Sequence, residues 1–182
     1  GFKNTEFTIM DILELLNSGS KILKLNKIKT HQLDSELVLS SLLKKQRESL
    51  IINSNQKVSE NTILNFEKLI TRRAKREPLA YILKNKEFWS KDFFIDRNTL
   101  IPRPETELLC EYIIKIFKNK NLYILDMGTG SGCIILSILT ELKEAKGVGV
   151  DISRKAIDVA QKNANKLGLN KRVKFFNKSL DN

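Results

Sequence analysis

The sequence predicts an α/β protein: an N-terminal helical bundle, a β-hairpin linker, then the first half of a doubly wound parallel sheet. Three observations carry that prediction. Apolar residues recur at helical spacing through the first third of the 182-residue chain. An aromatic, β-branched stretch, Glu87-Phe-Trp-Ser-Lys-Asp-Phe-Phe-Ile-Asp96, follows Pro78 and reads as paired strands. From residue 122 onward short apolar runs alternate with helical ones, and such a βαβαβ order implies a parallel sheet with right-handed crossovers. The expected organisation is therefore a helical domain over 1–77, a hairpin linker over 78–100 and the start of a sheet domain over 101–182.

Each element has a local reason. Thr8-x-x-Asp11 has the form of a capping box, and Ile9, Ile12, Leu13 and Leu16 follow at helical spacing. Asn17-Ser-Gly19-Ser is expected to stop that helix. Asp34 is placed to cap a second helix with Leu37, Leu39, Leu42 and Leu43 inward, and Ser59 a third with Ile63, Leu64, Phe66, Leu69 and Ile70 inward. That third helix should end by Glu77, because a proline disfavours the α conformation in the residue before it. In the hairpin, Ser90-Lys91-Asp92 reads as the turn. Pro104 suits a helix's first turn, where a missing N–H costs nothing, and Glu105 and Glu107 suit its dipole. Leu108, Leu109, Tyr112, Ile113, Ile116 and Phe117 are expected to form that helix's buried face. The sheet domain then reads as strand 122–126, helix 133–142, strand 147–151, helix 154–167 and strand 172–176.

Composition narrows the function classes. At 41% hydrophobic and 29% charged residues the chain is globular rather than disordered. No apolar run approaches the roughly 18 residues that a helical membrane span needs, and the opening GFKNTEF lacks a secretory layout, so a cytoplasmic protein is expected. Cys110, Cys133 and the lone His31 cannot make a Cys/His zinc cage, so no metal is expected, and the cysteines read as buried thiols in preference to a disulfide. The net charge of +11 is spread along the chain, with 14 Lys/Arg against 9 Asp/Glu in 1–77 and 18 against 12 in 78–182. That is a solvated, Lys-rich surface rather than a dense nucleic-acid arm, although it suits an acidic partner.

The strongest chemical signal is Asp126-Met-Gly128-Thr-Gly130-Ser-Gly132, directly after a strand and opening a helix. Glycines there let the backbone turn tightly and approach a ligand, and the helix N-terminus behind them offers free N–H groups to an anion. Asp151 ends the next strand, 19 residues after Gly132, where an acid reaches both hydroxyls of a ribose. The dinucleotide fingerprint G-x-G-x-x-G would need a small residue at Cys133. The alternating glycines behind Asp126 instead resemble the first motif of the S-adenosylmethionine (SAM) methyltransferases, where no pyrophosphate has to be cradled.

A wider resemblance covers essentially the whole chain. Arg76-Glu-Pro-Leu-Ala-Tyr-Ile82, Glu87-Phe-Trp89, Leu100-Ile-Pro-Arg-Pro-Glu-Thr-Glu-Leu-Leu109 and Ile124-Leu-Asp-Met-Gly-Thr-Gly-Ser-Gly-Cys133 closely resemble the HemK/PrmC family of N5-glutamine methyltransferases acting on peptide chain release factors. The resemblance implies a Rossmann-like SAM-binding domain behind a helical substrate-binding domain. It places the cofactor loop on Gly128, Thr129, Gly130, Ser131 and Gly132 behind Asp126, and the ribose acid on Asp151. Arg103, Pro104, Glu105 and Thr106 fall on the segment lying over the cofactor cleft. Where many members carry an acid and an apolar residue near the adenine, this chain has Ser179-Leu180, and Leu180 is assigned to pack on the ring.

The family's Asn-Pro-Pro-Tyr signature is absent from the 182 residues, which end at Asp181-Asn182. The resemblance thus implies an N-terminal piece holding the cofactor half of the site and no catalytic residue for the nucleophile, and by itself inactive. The implied partner is a release factor. The alternatives are methylation of a nucleic-acid amino group, with tRNA as partner only through a further fused domain, and a non-catalytic protein-interaction module.

Overall fold

The computed structural model describes residues 9–179. The chain divides between Leu83 and Lys84 into two compact units.

The first unit is all helical: α1 (Ile12–Leu25), α2 (His31–Leu43), α3 (Arg47–Ile52), α4 (Glu60–Ala74) and α5 (Leu79–Leu83). Leu15, Leu23, Val38, Leu39, Leu50, Phe66 and Ile70 form its buried centre. The start of α1 is set by Asp11, whose carboxylate accepts from the Glu14 N–H while Glu14 accepts from the Asp11 N–H (2.9 and 2.8 Å). The box is thus one turn later than Thr8-x-x-Asp11 implies, and Thr8 lies outside the described residues. Ile9 precedes the helix and is exposed.

Gly19 does not stop α1, which runs six residues further to Leu25. A Cβ on Gly19 would stand 2.6 Å from Phe66 Cζ and 2.7 Å from Ser35 Oγ. The glycine is there because α2 and α4 approach the middle of α1 so closely, and Ser35 Oγ–H completes the approach by donating to the Leu16 carbonyl (2.8 Å). Local helix propensity argued for a break; tertiary packing decided otherwise.

Asp34 is also not a cap. α2 begins at His31, and Asp34 in its first turn is buried, accepting from Arg73 Nε of α4 at 2.6 Å. Ser59 does cap α4, accepting from the Thr62 N–H. The short α3 was not evident from the sequence, since six residues give too few turns for a periodic signal. After α4 ends at Ala74, Pro78 opens the single turn of α5.

The second unit begins with the hairpin β1 (Asn85–Phe88) and β2 (Lys91–Phe94), in which Phe88 pairs with Lys91. The turn is therefore Trp89-Ser90, one residue earlier than expected, with both residues at positive φ (53° and 52°). Two left-handed residues are what a tight hairpin matching the strand twist requires. Two acids hold this unfavourable conformation of a bulky residue: Glu107 accepts from the Trp89 N–H (2.7 Å) and Glu141 from its indole Nε1–H (3.2 Å). Phe88 and Phe93 are buried edge to face.

The remaining elements are α6 (Thr106–Phe117), β3 (Tyr123–Met127), α7 (Cys133–Glu141), β4 (Lys146–Asp151), α8 (Arg154–Lys166) and β5 (Val173–Asn177). The three strands are parallel in the order β3-β4-β5. Gly149 lets Phe175 lie on the sheet, since a Cβ there would come within 2.5 Å of its ring. The α6 expectation needs correction. Only Cys110 of that helix is buried, while Leu108 and Tyr112 are 67% and 66% exposed and Leu109, Ile116 and Phe117 are exposed as well. Among the described residues nothing covers that apolar face, nor Tyr123, Leu125 and Met127 along the sheet-edge strand β3.

The close approach at Gly19 has a measurable consequence. Gly19→Ala places a better helix former in α1, yet overpacking against Phe66 should destabilise the helical unit by about 1–3 kcal/mol. Urea unfolding followed by circular dichroism should show a lower midpoint for the variant. An unchanged or higher midpoint would mean that the three helices separate without cost.

Candidate cofactor site

The site forms where β3 ends and the chain turns into α7. Gly128 N–H and Thr129 N–H both donate to the Val150 carbonyl of β4 (2.8 and 3.0 Å), which carries the turn across the C-terminal edge of the sheet. Gly128, Gly130 and Gly132 have φ of 73°, 54° and 77°, conformations that other residues adopt only under strain. Their surroundings differ. A Cβ at Gly128 would meet nothing within 4 Å, whereas one at Gly132 would press on Leu136 and Ala160 at 3.1 and 3.3 Å. The first glycine thus leaves backbone open towards a ligand, and the third lets α7 and α8 pack.

Two acids flank the loop in different roles. Asp126, on β3, accepts from Thr129 Oγ1–H at 2.8 Å. Burial raises its pKa, opposed by that hydrogen bond. Asp151, at the end of β4, accepts from Gly130 N–H with Oδ2 (3.0 Å) and from Ser153 N–H with Oδ1 (2.8 Å). One bond to each oxygen leaves acceptor capacity on both, since an ionised carboxylate has about four acceptor positions.

Gly128, Thr129, Gly130, Ser131, Asp151, Arg103 and Thr106 line one cavity of about 620 Å³. Asp126, Gly132, Pro104 and Glu105 are not part of this lining. Leu180 lies outside the described residues. Leu100–Pro102 and Cys133 belong to the quoted motifs, yet sequence reasoning assigns neither them nor Asn98, Thr99, Ile134, Ile152 and Ala156 to the site; all of these join the wall. Ile152 could have been noticed: an apolar residue straight after Asp151 has no core to enter at the strand's end, and it is 76% exposed. No group of three or more His, Cys, Asp or Glu side chains suited to a metal occurs among the described residues.

Cys110 and Cys133 are buried free thiols. Burial pushes them up to about 12 and about 11, respectively. Because the shift is upward, both stay protonated throughout the neutral range, and neither is a nucleophile there. Alkylation of the native chain by iodoacetamide at pH 8 should be at least about 100-fold slower than that of free cysteine. Mass spectrometry of the labelled chain would check this, and rapid modification of Cys133 would show a thiolate at the cavity wall.

A glycine turn at the C-terminal edge of a parallel sheet, with an acid at the end of the next strand, defines a nucleoside-cofactor site of the methyltransferase class. Comparison with known proteins agrees. Residues 14–83 match the PrmC N-terminal domain, and residues 118–181 match a methyltransferase domain. The chain is 41% identical over 155 residues to the release factor glutamine methyltransferase of Buchnera aphidicola, covering 84% of this chain and 56% of that protein. It is 38% identical over 172 residues to the Leptospira interrogans protein of the same name, covering 93% and 60%. A bifunctional methyltransferase of Rickettsia conorii is 37% identical over 179 residues, covering 84% and 34%. Both parts of the chain are thus similar to those of the release factor glutamine methyltransferases, and the chain spans 56% and 60% of the length of the first two relatives.

Proposed function

We propose that the chain carries the cofactor-binding half, and a substrate-docking domain, of a SAM-dependent enzyme that methylates the side-chain amide nitrogen of a glutamine in peptide chain release factors. The observation that supports this most is the convergence of the open Gly128–Gly130 backbone and the Asp151 carboxylate on one cavity. The fit to SAM is chemical as well as spatial. The unused acceptor positions of Asp151 suit two ribose hydroxyls, Ile152 offers apolar surface beside them for a base, and Gly128 leaves the room a Cβ would take. SAM supplies a methyl group on a sulfonium, already a strong electrophile, so this chain's residues have only to bind and orient it.

The helical unit is proposed as the release-factor docking domain, and its match to the PrmC N-terminal domain supports that role. Its modest excess of positive charge, spread rather than clustered, favours a protein partner over nucleic acid. No helix of the described residues is long and apolar enough to cross a membrane. We place the enzyme in the cytoplasm, where two unpaired thiols are at home.

Asp151 provides the test. In the full-length protein, Asp151→Ala removes a charged acceptor for two hydroxyls, a loss of about 1.5–3 kcal/mol, or roughly tenfold to over a hundredfold in SAM affinity. Isothermal titration below the melting temperature of both proteins measures it. An unchanged dissociation constant would overturn the assignment.

A further inference from the structure

Asn163 is a polar residue in the interior of α8, 1% exposed, with no part in the chemistry described so far. Its amide makes three hydrogen bonds, with both donors used. Oδ1 accepts from the Phe94 N–H (2.7 Å), and Nδ2 donates to the Phe94 carbonyl (3.0 Å) and to the Ser131 carbonyl (2.9 Å). The orientation of the amide follows from its partners, since reversing it would set its oxygen against two carbonyls. The pair of bonds to Phe94 is what a neighbouring strand would offer, so the side chain stands in for a strand beside β2. The third bond reaches the middle of the cofactor loop, between Gly130 and Gly132.

That third bond falls on a loop that needs outside restraint. A loop with three residues at positive φ has several backbone conformations open to it, and glycine loses more freedom on ordering than any other residue. Asp151 fixes the loop at the Gly130 N–H, on the cavity side. Asn163 fixes it one residue further on, at the Ser131 carbonyl. The hairpin is in turn held to α8 by Lys166 Nζ donating to the Asp92 carbonyl (2.7 Å) and by Lys162 Nζ lying 3.4 Å from the centre of the Phe94 ring.

We propose that Asn163 is the positioning residue of the cofactor loop: it ties the Ser131 carbonyl to β2, so that the hairpin braces the SAM site. The proposal rests on the reading of that loop as the SAM site. Asn163 touches no cofactor; it acts through the loop backbone. Ordering the loop in advance favours binding, so its loss should appear in cofactor affinity and in KM for SAM more than in turnover at saturation.

The test uses the full-length enzyme and Asn163→Asp, which keeps the shape, loses both donors and sets a carboxylate oxygen against two carbonyls. At a temperature where circular dichroism shows both proteins folded, the SAM dissociation constant should rise about tenfold or more. Turnover at saturating SAM should change by less than about threefold. Affinity within about twofold of the parent would overturn the proposal and leave Asn163 a prop for the hairpin.

A second measurement needs no variant and decides the matter if Asn163→Asp does not fold. S-adenosylhomocysteine bound to the unaltered enzyme should slow exchange of the Phe94 amide hydrogen severalfold, because the loop and β2 are tied through one side chain. An unchanged Phe94 exchange rate would overturn the proposal. If the unaltered enzyme binds neither SAM nor S-adenosylhomocysteine, the cofactor reading itself fails and the proposal falls with it. That result is distinct from a parent that binds and a variant that binds equally well.

Discussion

One carboxylate joins the sheet to its chemistry. Asp151 ends β4, and its two oxygens accept from Gly130 N–H on the cofactor loop and from Ser153 N–H at the start of α8. Without those bonds, two backbone donors at the mouth of the site would lack these protein partners, and the loop would lose its anchor on the cavity side. The next residues depend on it in sequence. Ser153 caps α8 by accepting from the Ala156 N–H, and α8 carries Asn163 to the far side of the same loop. The acid that lines the cavity is thus also a structural one, its position fixed by two backbone donors. Such preorganisation lowers the entropy that binding would otherwise cost.

In the helical unit a close approach of three helices is combined with one buried ion pair. Gly19 lets three helices meet with a phenylalanine ring where an ordinary residue would need a Cβ, and Ser35 spans the same gap. The Asp34–Arg73 pair lies within this unit, with the carboxylate side chain 5% exposed. Replacing one partner of such a pair leaves an uncompensated buried charge, so the pair fixes which faces of α2 and α4 meet, whatever its net worth.

Much of this was legible in the sequence, and the parts that were not share a cause. The strands and helices after residue 122 were found to within a residue or so, because glycine, apolar runs and caps are local signals. Gly19 read as a helix stop and Asp34 as a cap for the same reason in reverse: both residue types usually serve local roles, and here a distant partner took them over. The α6 face was expected to be buried because its periodicity is clear, yet periodicity shows only that a face is apolar, not that anything covers it. In the site, the glycine loop and Asp151 stood out by type and spacing. Asn163 did not, since nothing near it in sequence reveals that a side chain 69 residues from Phe94 completes a strand edge.

The central claim is that Asp151 and the Gly128–Gly130 backbone form the binding surface for the nucleoside of SAM. A crystal structure of the full-length enzyme with S-adenosylhomocysteine tests it most directly. The account predicts both ribose hydroxyls within hydrogen-bonding distance of the Asp151 carboxylate, with the Gly130 and Ser153 N–H bonds retained and the Ser131 carbonyl still on Asn163. A ligand bound elsewhere, or one whose ribose makes no contact with Asp151, would contradict it.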